Sequence, residues 1–188
     1  MDTQSATYLC HRLERYARAV AETKTHFSRI TPLGKYPASA PYFERCGIRE
    51  LFDALDSDSA KKATLMAVFQ AAGHELTCLE RERGSAYRCL LHAELRARLD
   101  VYTAAVCHAN LGCPQALLGH DTVSRDRIVV LIQELEKTHD VTGAKDLLHT
   151  LDACLLPPGR EPARDLASSR LHDESDILLF GRNDGIEG

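Results

Sequence analysis

Leu9, Leu13, Tyr16, Val20 and Phe27 recur at steps of three, four and seven, while Arg12, Glu14, Arg15, Arg18 and Glu22 take the other faces. That period predicts an amphipathic helix over residues 3 to 29, capped by Thr3 or Ser5. The following stretch, TPLGKYPASAP at 31–41, holds three prolines and a glycine, so no helix runs through it. Tyr36, Tyr42 and Phe43 lie in or just after it and make a loop apolar enough to rest on the body. Ile48, Leu51, Phe52 and Leu55 then share one face of a short helix over 44–55, ended by the Asp-Ser-Asp-Ser run at 56–59, which caps the next.

Leu65, Phe69, Ala72, Leu76 and Leu79 form an alternating three–four stripe, predicting a helix over 60–83. Its charged end, Glu80 to Arg83, is expected as a solvated helix terminus, and Gly84-Ser85 reads as a stop followed by a cap. Tyr87, Leu91, Leu95, Arg98 or Leu99, Tyr102 and Val106 then line a partner helix over 86–110, ended by Gly112-Cys113-Pro114. Residues 123–140 continue with Ile128, Leu131, Ile132 and Leu135. The unbroken run Val129 to Ile132 implies central burial or, less simply, a face shared with another protein. Gly143 marks a kink or break before Leu147, Leu148, Leu151 and Leu155, and Pro157-Pro158 closes that helix. No segment alternates with period two long enough for a strand. The prediction is an all-α fold: an antiparallel helical bundle of about five to six helices joined as up-and-down hairpins, spanning 1–156.

From 157 to 188 the periodicity fails. Seven acids stand against four arginines there, which accounts for most of the chain's net charge of −4. This reads as a flexible acidic tail with one apolar cluster, Ile177-Leu178-Leu179-Phe180, placed behind Asp173-Glu174-Ser175-Asp176. Such a cluster is expected to dock on a partner or on the chain's own body.

Composition narrows the chemistry. Tryptophan is absent and aromatics are 6%, so the core rests on leucine, valine and alanine. A pI near 6.1 lacks the basic surplus of a phosphate-backbone binder, so direct nucleic-acid binding is not expected. No apolar run approaches the ~20 residues of a membrane span, and the first residues are too charged for a secretion signal. Seven cysteines without a repeat in their spacing suggest free thiols in an intracellular protein, cytoplasmic or nuclear.

His74 and Cys78, four apart, precede Cys89 and His92, three apart, which invites a two-histidine, two-cysteine metal site. On a hairpin turning at Gly84 the levels permit it, but at ~100° per residue the first pair points away from the partner helix. No metal or other cofactor is expected. No glycine-rich phosphate loop occurs. Cys107-His108 and Cys10-His11 are sequence neighbours, which diverge on a helix, so no catalytic residue is assigned. Arg12, Arg15 and Arg18, with Arg29, read as a salt-bridged surface stripe beside Glu14 and Glu22, or as a contact for an acidic partner.

The segment LIQELEKTHDVTGAKDLLHTL at 131–151, through Ile132, Gln133, Leu135, Glu136, Thr142, Ala144, Leu147 and Leu148, resembles the required-for-excision B family of small helical proteins. Residues 65–80 are similar to the same family's preceding helix. The match covers less than a quarter of the chain, and Gly143 and the Pro32-to-Pro41 stretch depart from it. The resemblance implies a non-enzymatic accessory factor in a DNA repair-linked process and carries no catalytic residue.

Leucine-lined rods packed on each other are expected to leave no cleft furnished for chemistry. The function expected is a non-catalytic helical interaction protein, a subunit or scaffold with protein partners. The expected contact residues are Tyr36, Tyr42, Phe43, Ile177, Leu178, Leu179 and Phe180. The repair-linked accessory role and a small thiol- or metal-dependent enzyme are the alternatives.

Overall fold

The computed structural model describes residues 3–54, 60–112 and 125–155. By its contacts the chain divides into residues 1–155 and 156–188; the second unit, and with it the Ile177–Phe180 cluster, lies outside the described residues. The described part is all-α: α1 (Thr3–Thr25), a short 3-10 turn (Phe27–Arg29), α2 (Ala40–Arg45), α3 (Ile48–Asp53), α4 (Ala60–Asn110), α5 (Arg125–Leu135) and α6 (Thr142–Leu155).

The expected hairpin at Gly84-Ser85 does not form. α4 is one helix of 51 residues, about 77 Å long at its ordinary rise. The reason lies in the phase of the stripe. Leu65, Leu76, Tyr87 and Arg98 stand eleven residues apart, three helical turns with only ~20° of drift, so the inward face crosses Gly84 without interruption. A glycine that ends a helix adopts the left-handed conformation. Among the described glycines only Gly47 and Gly112 have positive φ, and Gly84 does not. An interior glycine costs about 1 kcal/mol relative to alanine. Each buried side chain that continuity places in the core beyond it (Tyr87, Leu91, Leu95 and Tyr102 among them) returns roughly 1.5–3 kcal/mol.

The other helices pack along this rod. Tyr16 meets Phe69 and Phe27 meets Tyr87, so α1 runs in the same sense as α4. α5 runs against it: Arg125, at its start, shares Asp152 with Tyr102, while His139, just past its end, meets His92. The single helix expected over 44–55 is two. Gly47, at φ +78°, breaks it, and Pro41 lets α2 begin at 40, because a proline in the first turn has no N–H to lose. α5 is buried on the breadth its sequence suggested, with Ile128, Val129, Val130, Leu131, Ile132 and Leu135 all in the core.

A buried polar knot fixes the proline-rich loop to the middle of α4. Glu94 is 0% exposed and Arg98 3%. The Glu94 carboxylate accepts the Ser39 backbone N–H at 2.8 Å, the Ser39 hydroxyl at 2.5 Å and the Arg98 Nε–H at 2.7 Å. Two turns away along α4 the Tyr87 hydroxyl donates to the Ala38 carbonyl at 2.8 Å.

Helix continuity makes a sign-specific prediction. A Cβ on Gly84 would come no closer than 3.7 Å to the end of the Arg88 side chain. Gly84→Ala is therefore expected to stabilise the protein by about 0.5–1 kcal/mol in urea unfolding. A glycine turn at this position would make the same substitution destabilising.

Candidate functional site

The residues expected to meet partners have varied fates. Tyr42 is in the core, its hydroxyl donating to Glu80 Oε1 at 2.7 Å and the Arg45 guanidinium over its ring. Phe43 is half-buried beneath the Arg127 guanidinium, 4.4 Å from the ring centroid. Tyr36 is half-buried and stacks on His26. Burial and the Glu80 acceptor push the Tyr42 pKa far above the usual phenol range, so the hydroxyl remains a donor.

Two arginines of the α1 stripe reach across to the segment after it, while Arg18 and Arg29 are exposed. Arg12 donates to the Cys46 carbonyl at 2.9 Å, and Arg15 donates to Glu44 Oε1 at 2.9 Å. Glu80 and Arg83 do not form a helix terminus: Glu80 accepts the Tyr42 hydroxyl, and Arg83 covers the Phe27 ring. At the far end of α4, Arg125 grips Asp152 with both Nε and a terminal nitrogen, and the Tyr102 hydroxyl donates to the same carboxylate.

Continuity of α4 separates the two halves of the suspected metal set. His74 and Cys89 are fifteen residues apart, about 22 Å along the axis. Within the first pair, Cys78 Sγ and His74 Nε2 are 3.6 Å apart and Arg81 donates to the same sulfur. Among the described residues no three His, Cys, Asp or Glu side chains cluster to hold a metal ion. Cys107 and His108 are both exposed.

The expectation of no furnished cleft fails at one place. Where Gly47 and α3 face α4, a cleft of about 570 Å³ is lined by Tyr16, Arg45, Arg49, Phe69, Gln70 and Lys137, with Gly47, Glu50, Gly73 and Thr77 completing the wall. A second cleft, of about 500 Å³, adjoins it and adds Phe52, Asp53 and Met66 to the shared Arg49, Phe69 and Gln70. Arg45 and Lys137 are both held by Glu134. Arg49 is exposed and makes no ion pair within 4 Å among the described residues. Tyr16 is 0% exposed, yet its hydroxyl, beside the cleft, gives its proton to no acceptor. Burial raises its pKa; the Arg45 guanidinium beside the oxygen acts in the opposite sense, by its charge and by hydrogen bonding toward the oxygen. Tyr16 was legible only as a core position of α1. The cleft joins residues from α1, α2, α3, α4 and the turn after α5, and no local spacing announces such a meeting.

Comparison with known proteins finds no family, no characterised relative and no solved structure that matches the chain. Among the described residues, no helix is long and apolar enough to cross a membrane.

One imidazole pair gives a pH prediction. His92 on α4 meets His139 edge-to-face at 4.6 Å, and the buried His92 Nε2 has no partner. Burial, and then the neighbouring imidazole, lower the His92 pKa below its ordinary 6.5. The folded state therefore binds this proton less readily than the unfolded chain. The stability this confers is whole above pH 6.5 and is lost as the pH falls toward the depressed folded value. In urea titrations His92→Gln should differ from the parent by a constant amount above neutrality and should lose less stability than the parent on acidification. Parallel pH curves would contradict this.

Proposed function

We propose that the protein is a non-catalytic helical interaction protein, a subunit or scaffold of a larger intracellular assembly. The observation that carries this reading is the apolar surface at the start of α4. Val68 is 42% exposed, and Leu65, Met66 and Phe69 around it are only partly covered. This strip borders the cleft floored by Phe52, Met66 and Phe69. An apolar strip beside an unfilled apolar cleft suits contact with another macromolecule. The polar side chains deeper in the molecule are engaged in holding helices together, as at Glu94, Glu44 and Asp152. The sequence supports the same reading through the Ile177–Phe180 cluster, which has the composition of a short docking motif.

The test is affinity purification of the tagged full chain under conditions that preserve assemblies, alongside Val68→Glu and a variant with residues 177–180 changed to alanine. The expected result is a stoichiometric partner with the parent protein that is lost or depleted with at least one variant. Val68→Glu should leave urea stability within about 0.5 kcal/mol, because the side chain is largely outside. A monomer that retains nothing stoichiometric would overturn the proposal.

A further inference from the structure

Among the described residues, the Tyr16 hydroxyl is the one uncharged donor in the interior that is buried, gives its proton to no acceptor and lies beside an open cavity. The Tyr16 side chain is held there by packing: its ring lies 5.8 Å from that of Phe69, and Gly73 leaves the space near the oxygen open. A Cβ on Gly73 would stand 3.9 Å from that oxygen, with nothing else within 4 Å. Its raised pKa keeps the phenol protonated, so its O–H is available to donate to a ligand's acceptor or a water, whatever the oxygen accepts from Arg45.

The charge around the cleft says which acceptor. Arg45, Arg49 and Lys137 line it, opposed by Glu50 on the wall and by the Glu134 that Arg45 and Lys137 share. Three cations against two carboxylates favour a ligand with a single negative charge. Arg49, the cation outside that pairing, lines both clefts. The adjoining cleft is more apolar, with Phe52, Met66 and Phe69, and its own carboxylate, Asp53, keeps an anionic head out of it. The pair of clefts is thus polarised, with a donor-rich end and an apolar end. Each lies in the volume range of small-molecule sites, roughly 300–1,000 Å³.

We propose that these joined clefts bind a small organic monoanion, a carboxylate carried on an aliphatic or aromatic body. Its head accepts from the Tyr16 hydroxyl and the Arg49 guanidinium, and its body lies against Phe52, Met66 and Phe69. This site shares Phe52, Met66 and Phe69 with the protein-contact reading but does not need it, because its polar end rests on the buried hydroxyl and the charge pattern.

The experiment titrates the isotopically labelled full chain with 4-phenylbutyrate and follows the backbone amides of Gly47, Gln70, Gly73 and Thr77 by NMR. Saturable shifts at these amides are expected, with a Kd on the order of 1 mM for so small a probe. Acetate, a head without a body, should bind more weakly, and so should phenyl phosphate, which carries excess charge. Tyr16→Phe should weaken phenylbutyrate about tenfold, as expected for losing a hydrogen bond to a charged group. It should fold as the parent does, since no acceptor takes the proton of the hydroxyl it deletes and Arg45 keeps its ion pair with Glu134. Arg49→Gln should weaken binding and reduce its salt dependence. Several results would overturn the proposal: no saturable shift at these amides, unchanged affinity in Tyr16→Phe and Arg49→Gln, or phenyl phosphate binding more tightly than phenylbutyrate.

Discussion

A carboxylate with no exposed surface holds the centre of this protein. Glu94 faces the loop on one side and Arg98 on the other, and its two oxygens accept from a backbone N–H, a hydroxyl and a guanidinium. A buried charge is tolerable only when it is paired and its remaining lone pairs are satisfied. Ser39 meets the second condition, and it can do so only if residues 31–39 follow one path across α4. The loop that looks least regular in sequence is therefore set by the most demanding group in the core. Tyr87, two turns earlier on α4, ties the same path by donating to Ala38. From there α2 begins at Ala40, Tyr42 reaches Glu80, and Glu44 meets the arginines of α1.

The length of α4 follows from the same economy of contacts. An unbroken rod lets α1 pack near its first half and α5 and α6 near its second, while one inward stripe serves them all. Polar side chains along the rod join neighbours to it: Glu75 with Lys24, Glu80 with Tyr42, Tyr102 with Asp152. The surface left over is the apolar start of α4 and the clefts beside it, and the functional proposals rest there.

Much of this was readable from periodicity. Leu9, Leu13, Tyr16 and Val20 of α1, Ala72, Leu76, Leu79, Tyr87, Leu91, Leu95 and Tyr102 of α4, and Ile128, Leu131, Ile132 and Leu135 of α5 are buried as the stripes marked, and even Arg98 stood on the predicted inner face. Leu65 and Phe69, by contrast, are only partly covered, and buried Glu94 was not marked. The errors came where local signals competed with tertiary ones. Gly84-Ser85 has the composition of a helix stop, but the eleven-residue register from Leu65 to Arg98 ran through it and prevailed. Gly47 carries the same residue type yet takes the left-handed conformation and does break a helix. The sequence reading places both the wrong way round, with Gly84 as a stop and Gly47 inside one helix over 44–55. The partners of Arg12, Arg15 and Glu80 were misassigned because i,i+4 neighbours are visible in a sequence, whereas Glu44 and Tyr42 lie some thirty to forty residues away. The Tyr16 cleft was invisible for the same reason.

If Glu94 and Arg98 act as one buried unit, urea unfolding of Glu94→Leu, Arg98→Met and the double variant measures it most directly. Each single substitution removes one side of a buried charge pair and should cost about 3–5 kcal/mol. The double variant should recover part of that loss, giving a coupling well above 1 kcal/mol. Single losses of a few tenths of a kcal/mol, adding without coupling, would mean that the loop is held by something other than this carboxylate.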